Sequence, residues 1–242
     1  MIRIISAALI FVGSSAAAVA EVTVSHIGSL RAVHQGTTAS VIALPTLKPV
    51  IGLQALGPVS NMDGEITVID GRPSVSQIRN GQQHVSTELS GGAAFLVWSD
   101  VREWQDPIAF EAEVSSLSEL DAHIEMLAKK AGMSTAEPFP FRLVGHFHRI
   151  EYHVLNGLNE SGQPNGGKRS TTFVEEHIEA EALGFFAKNA EGIYTHRGSS
   201  THVHVVIPGK GAGHLDAVML RSGKLKVYFP LIRPLAVSIG KP

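Results

Sequence analysis

"THVHVVIPGKGAGHLDAV" occupies residues 201–218. Two histidines stand one residue apart in an apolar run, and a third follows a glycine-rich segment. A β-strand sends residues i and i+2 to the same face, roughly 6–7 Å apart. His202 and His204 can therefore reach one ion, with Val203 turned away. The segment "PGKGAG" (208–213) has the backbone freedom that a tight return needs, and the return brings His214 alongside on the next strand. The stretch predicts a strand pair, and with it a β-rich fold.

Three neutral imidazoles with one open position form the arrangement of a catalytic zinc site. Imidazole also suits nickel, copper, iron and cobalt. Spacing alone leaves a second reading open. The chain holds 12 histidines, and H-x-H pairs also arise as surface or hydrogen-bonded residues without metal. His146 and His148 form such a pair and have no obvious third partner.

Composition narrows the chemistry. The sequence of 242 residues contains no cysteine, which removes disulfides and thiolate ligands. Any metal must sit on His, Asp or Glu. The chain opens "MIRIISAALIFVGSSAAAVAEV", with Arg3 before an apolar stretch and Ala18-Val19-Ala20 as a small-x-small cleavage pattern. Residues 1–20 are read as a signal peptide, which predicts a secreted or periplasmic protein beginning at Glu21 and a single domain over 21–242. Removing Arg3 leaves 19 Lys+Arg against 22 Asp+Glu, a balance of −3. Near-neutral charge without a long basic run argues against nucleic acid. No later segment is apolar for long enough to span a bilayer.

Along the chain, Ser29 to Gln35 reads as a short helix stopped at Gly36. "EITVIDGRPSVSQI" (65–78) reads as a hairpin turning at Asp70-Gly71. "SLSELDAHIEMLAKKAG" (116–132) reads as a helix, with Ser116 and Glu119 as a capping box and Leu117, Leu120, Ile124 and Leu127 on one face. Residues 141–155 read as extended, 156–171 as a polar loop, and 194–228 as strands joined by glycine turns. Periodicity does not decide 173–186. The class is α+β and strand-rich.

Among the acids, Glu65 sits at the start of a strand just after a turn, where a solvated strand end is the plain alternative. Glu175 and Glu176 read as an exposed pair. There is no G-x-S-x-G, no G-x-G-x-x-G and no G-x-x-x-x-G-K-[ST], so nucleophile-elbow and nucleotide-binding readings lack support.

Taken in order, "GSLRAVHQG" (28–36), "MDGEITVIDG" (62–71), "PFPFRLVGHF" (138–147), "EALGFF" (181–186) and "THVHVV…GAGHLDAV" form a set that resembles the α-acetolactate decarboxylase family. The His-x-His…Gly-x-Gly-His-x-Asp pattern is its most specific part. The resemblance implies two β-layers flanking a metal cleft with the helix between them. It implies a zinc-dependent carboxy-lyase that converts 2-acetolactate, or a related 2-hydroxy-3-oxo acid, to acetoin and carbon dioxide through a metal-stabilised enediolate. His202, His204 and His214 take the places of the metal ligands. Glu65 takes that of the family glutamate, a proton donor if burial keeps it protonated. The partner is a small-molecule acid, and a homodimer is compatible by analogy.

This sequence departs from the family at three points. The family's carboxylate-binding arginine falls on His153 here, with Arg149 four residues earlier on the same strand face as a substitute. The acid that the family supplies from its C-terminal tail has no counterpart, because nothing after Asp216 is acidic. The return loop at 208–213 is about one residue short. An exported metal-binding homologue with altered or lost catalysis is therefore the alternative reading.

Overall fold

The computed structural model describes residues 22–232, so the signal-peptide reading of residues 1–20 lies outside the described residues. The first part of the chain builds β1 (Val24–Ile27), helix α1 (Leu30–His34), β2 (Ile42–Ala43), β3 (Leu53–Pro58), β4 (Glu65–Ile69), β5 (Arg72–Arg79), β6 (Gln82–Ser86), β7 (Gly92–Ala93) and β8 (Leu96–Asp100). Six of these strands form one sheet in the order β1-β8-β3-β4-β5-β6, and β2 pairs with β7. The later part builds β9 (Ile108–Phe110), α2 (Leu117–Lys130), β10 (Phe139–Leu155), β11 (Ser170–Phe186), β12 (Thr201–Ile207), β13 (Gly211–Met219) and β14 (Leu225–Tyr228). They form a second sheet, β11-β12-β13-β10-β14-β9, in which β10 also pairs with β11. Strands β10 to β13 thus close into a ring. The fold is strand-rich α+β, with no helix among the described residues long and apolar enough to cross a membrane.

Local chemistry accounts for the predicted elements. In α1, the Ser29 side chain accepts from Ala32 N at 3.1 Å. In α2, Ser116 Oγ accepts from Glu119 N at 3.2 Å, while Glu119 reaches back to Ser115 N at 2.7 Å, one residue earlier than in a standard capping box. Leu120, Ile124 and Leu127 of α2 are buried, and the helix packs on β11 and β13. The 65–78 hairpin turns at Asp70 and Gly71, whose φ angles of 52° and 72° are those of the tight primed turn that suits strand twist. The undecided segment 173–186 belongs to β11, a 17-residue strand paired with nearly all of β10. Its first half is edge-like and polar, which explains why no clean alternation is visible in its sequence.

One apolar cluster joins the two sheets, and another lies on the far face of the first. Leu56, Phe95 and Val97 of the first sheet region meet Leu183 and Phe185 of the second, with Leu30 and Val33 of α1 alongside. Ile66, Val68 and Val75 pack on the opposite face of the first sheet with Leu44, Leu53 and Ala55. Strand β4 is therefore buried on both sides. With Ile66 and Val68 committed to the outer cluster, period-2 alternation aims Glu65 and Thr67 at the second sheet. Gln83 of β6 ties the layers, donating to Ala212 O at 2.6 Å while accepting from Tyr152 OH at 3.1 Å.

Candidate metal centre

The β12–β13 hairpin forms as its sequence predicts, with His204 directly opposite His214. On the other side of β13, His214 faces His153 of β10. A row of three imidazoles therefore crosses three neighbouring strands. Gly213 makes that row possible, because a Cβ there would stand 2.4 Å from His153 O. His202 lies two residues before His204 on the same face. Its ring centroid is 5.2 Å from that of His204 and 4.9 Å from that of His214, and the His204–His214 separation is 5.5 Å.

Each ring is oriented from behind. His202 Nδ1 donates to Tyr194 O at 2.9 Å, which leaves Nε2 with its lone pair. His204 Nδ1 is hydrogen-bonded to Thr67 Oγ1 of the first sheet at 3.0 Å. Such partners fix the tautomer and ring direction of a metal-binding histidine. Burial pushes the pKa values of His202, His204 and His214 well below the ordinary histidine value, and their mutual repulsion when charged adds to the effect. The rings are neutral, the form that ligates metal.

Glu65 approaches from the first sheet. Its Oε2 is 3.7 Å from His204 Nε2 and its Oε1 is 3.8 Å from His153 Nε2. Burial raises its pKa to about 8, against an opposing pull from His153 and with a further push from Asp216. The turn before it is held by Asp63, whose carboxylate accepts from both Arg79 amino groups at 2.8 and 2.7 Å and from Gln77 at 2.8 Å. In the Asp-Gly-Glu motif, Asp63 is thus an anchor and Glu65 the group presented to the histidines.

His153 donates from Nδ1 to Asp216, with oxygens at 2.9 and 2.8 Å. Burial alone would lower its pKa, but the Asp216 hydrogen bond and the nearby carboxylate charges lift it above the ordinary value. Arg149 is not brought to the cluster. It lies four residues from His153, about 13 Å along an extended strand, and its guanidinium meets Glu151 at 3.1 Å and Glu176 at 3.8 Å. A cavity of about 250 Å³ beside the histidines is lined by His153, His196, His214 and Asp216, with Leu117 and Val203 as apolar wall.

One participant escaped the sequence reading. His196 sits in the segment before β12, with its ring centroid 5.1 Å from His202 and 4.7 Å from His214. Ligand atoms of His196, His202 and His214 lie within 4.8 Å of one another, a group that can hold a metal ion. His196 lies six positions before His202 in the turn that precedes β12, off the strand, so strand alternation did not point to it. Asp216 was likewise visible only as part of the signature.

Fold and site together define a two-sheet protein with a buried, neutral histidine centre beside an open cavity. The chain belongs to the alpha-acetolactate decarboxylase family, whose model matches residues 24–235. Among solved structures, it resembles the alpha-acetolactate decarboxylase of Bacillus subtilis strain 168, with a TM-score of 0.66 and 15% identity over 86% of each chain. The acetolactate decarboxylase of Bacillus subtilis subspecies spizizenii gives a TM-score of 0.67 and 15% identity, again over 86% of each chain. A Staphylococcus aureus protein of unknown function similar to alpha-acetolactate decarboxylase gives 0.67 and 13% identity, over 87% of this chain and 85% of that one. At these identities the likeness is one of fold. A comparison with curated protein sequences returns no significant match.

Proposed function

We propose that this chain is a metal-dependent decarboxylase acting on 2-acetolactate or a related 2-hydroxy-3-oxo acid, with acetoin and carbon dioxide as products. The observation that carries the reading is the meeting of neutral imidazoles from β12 and β13 with a buried carboxyl from β4. The residues fit a metal on their own terms. His204 Nε2 and His196 Nε2 are buried without a hydrogen-bond partner. Such atoms cost about 1–3 kcal/mol each when left unsatisfied, and His196 belongs to the group whose ligand atoms converge closely enough to hold one cation. His202, His204 and His214 are the family ligands, and zinc is the default among metals that neutral imidazole accepts.

When bound, the metal supplies Lewis-acid polarisation of the substrate's adjacent hydroxyl and carbonyl oxygens. The chain supplies the rest. Thr67 Oγ1 and Tyr194 O keep the His204 and His202 rings aimed. Glu65, protonated at neutral pH by its burial, is placed to deliver the proton that carbon takes up after carbon dioxide leaves. His153, held by Asp216 and with its pKa raised by that bond, stands where the family places an arginine for the substrate carboxylate.

The test is acetoin formation from acetolactate by the zinc-loaded protein. Glu65→Gln is expected to retain zinc and lose about 10²–10⁴-fold in turnover, the usual scale for a general acid. A zinc-loaded wild-type protein that releases no carbon dioxide from any such acid refutes the enzymatic reading. It would support the alternative, a metal-binding homologue without catalysis, which the histidine at 153 favours.

Export is proposed on sequence alone. Amino-terminal sequencing of the protein from the periplasm or medium is expected to begin at Glu21.

A further inference from the structure

The segment between β11 and β12 is held in a way that its sequence does not announce. Asp121 of α2 accepts from Ser200 N at 2.6 Å and from Ser199 Oγ at 2.9 Å, and its other oxygen accepts from Thr201 Oγ1. The chain turns at 196–199 through Ser199 N donating to His196 O at 3.1 Å. Arg31 N and Leu30 N of α1 donate to Gly192 O and Ile193 O at 2.8 and 2.9 Å, fixing the other end. Two helices thus clamp a short connection whose one imidazole is delivered between His202 and His214.

The ring so delivered has a purpose that packing does not explain. A half-buried histidine in a loop ordinarily directs its free nitrogen to water or a backbone carbonyl, yet His196 Nε2 is buried and unpartnered. Its ligand atom lies within 4.8 Å of those of His202 and His214. His204 Nε2 leans toward Glu65 Oε2, at 3.7 Å.

We propose that His196 is a direct ligand of the ion, converging on it with His202 and His214 from a clamped loop. This rests on the metal reading above and extends it to a residue outside the family signature. His196 also lines the cavity, together with His153 and His214.

Zinc affinity by chelator competition, and the imidazole count by X-ray absorption on the zinc-loaded protein, test the proposal. His196→Ala and His196→Gln are compared with wild type and His202→Ala, with circular dichroism confirming the fold of each. Both His196 variants are expected to show one imidazole fewer. Their affinity is expected to fall by more than the about 10–100-fold that loss of an outer-shell partner costs. Wild-type affinity and an unchanged imidazole count in both, with zinc lost in His202→Ala, overturn the role of His196 and leave the metal centre standing. A wild-type protein that binds no zinc overturns both.

Discussion

The same motif occurs twice in this chain with opposite outcomes. His202-x-His204 on β12 and His146-x-His148 on β10 each place two imidazoles on one face of a strand. The β12 pair faces the first sheet, where Phe95 stacks on His202 with centroids 6.1 Å apart and Thr67 holds His204. The β10 pair faces outward beside β11. His146 Nδ1 is 3.2 Å from the exposed carboxylate of Glu179, and the His148 ring stands edge-on to His177 with centroids 4.7 Å apart. His177 has a positive φ of 51°, and it and His148 drop out of an otherwise continuous ladder. Spacing makes a pair of ligands available. A second layer, and the dryness it brings, turns the pair into a centre.

The largest test of that contrast is to remove one ring from each pair. His204→Ala is expected to abolish tight zinc binding and reduce acetoin production by at least about 10²–10³-fold, the scale for losing one group that stabilises developing charge. His146→Ala and His148→Ala are expected to leave both unchanged and to shift stability by no more than about 0.5 kcal/mol, as substitutions away from the core do. Equal losses from the two pairs in a zinc titration would erase the distinction.

A finer test keeps every imidazole and removes what aims one of them. Thr67→Val preserves shape in β4 but deletes the oxygen bonded to His204 Nδ1. Zinc affinity is expected to fall about 10–100-fold, as for other outer-shell partners, with the imidazole count intact. An unchanged affinity would show that packing alone orients the ring.

The smallest effect concerns the dryness itself, in the metal-free protein. Native Glu65 holds its proton up to about pH 8, whereas the unfolded chain releases it near 4.5. The native state then binds more protons in that window, so wild-type stability is lost as pH rises through it. Glu65→Gln has no such proton. Its stability relative to wild type is expected to grow from pH 4.5 to about 8 and then level off, as read by urea unfolding at several pH values. A constant difference would mean that the carboxyl is solvated.

Much of the site was legible because its parts are local. The H-x-H spacing, the glycine return and the Asp-Gly-Glu turn each act within a few residues, and the structure places His202, His204, His214 and Glu65 in one cluster. The 116–132 helix and the 65–78 hairpin were legible for the same reason, since their caps and turn residues are adjacent in sequence. Arg149 shows the limit of strand-face reasoning. It shares a face with His153, yet Glu151 and Glu176 engage it 13 Å or so up the strand.

From its own sequence this protein's strand alternation, turn positions and the identity of the strand-borne histidines follow, because backbone sterics and side-chain periodicity operate over neighbouring residues. Only the tertiary structure decided which H-x-H pair is buried, which carboxyl meets it and that His196 joins it. Those outcomes depend on β4, α1 and α2 arriving from distant parts of the chain. Burial, not spacing, is what keeps the imidazoles neutral and Glu65 protonated.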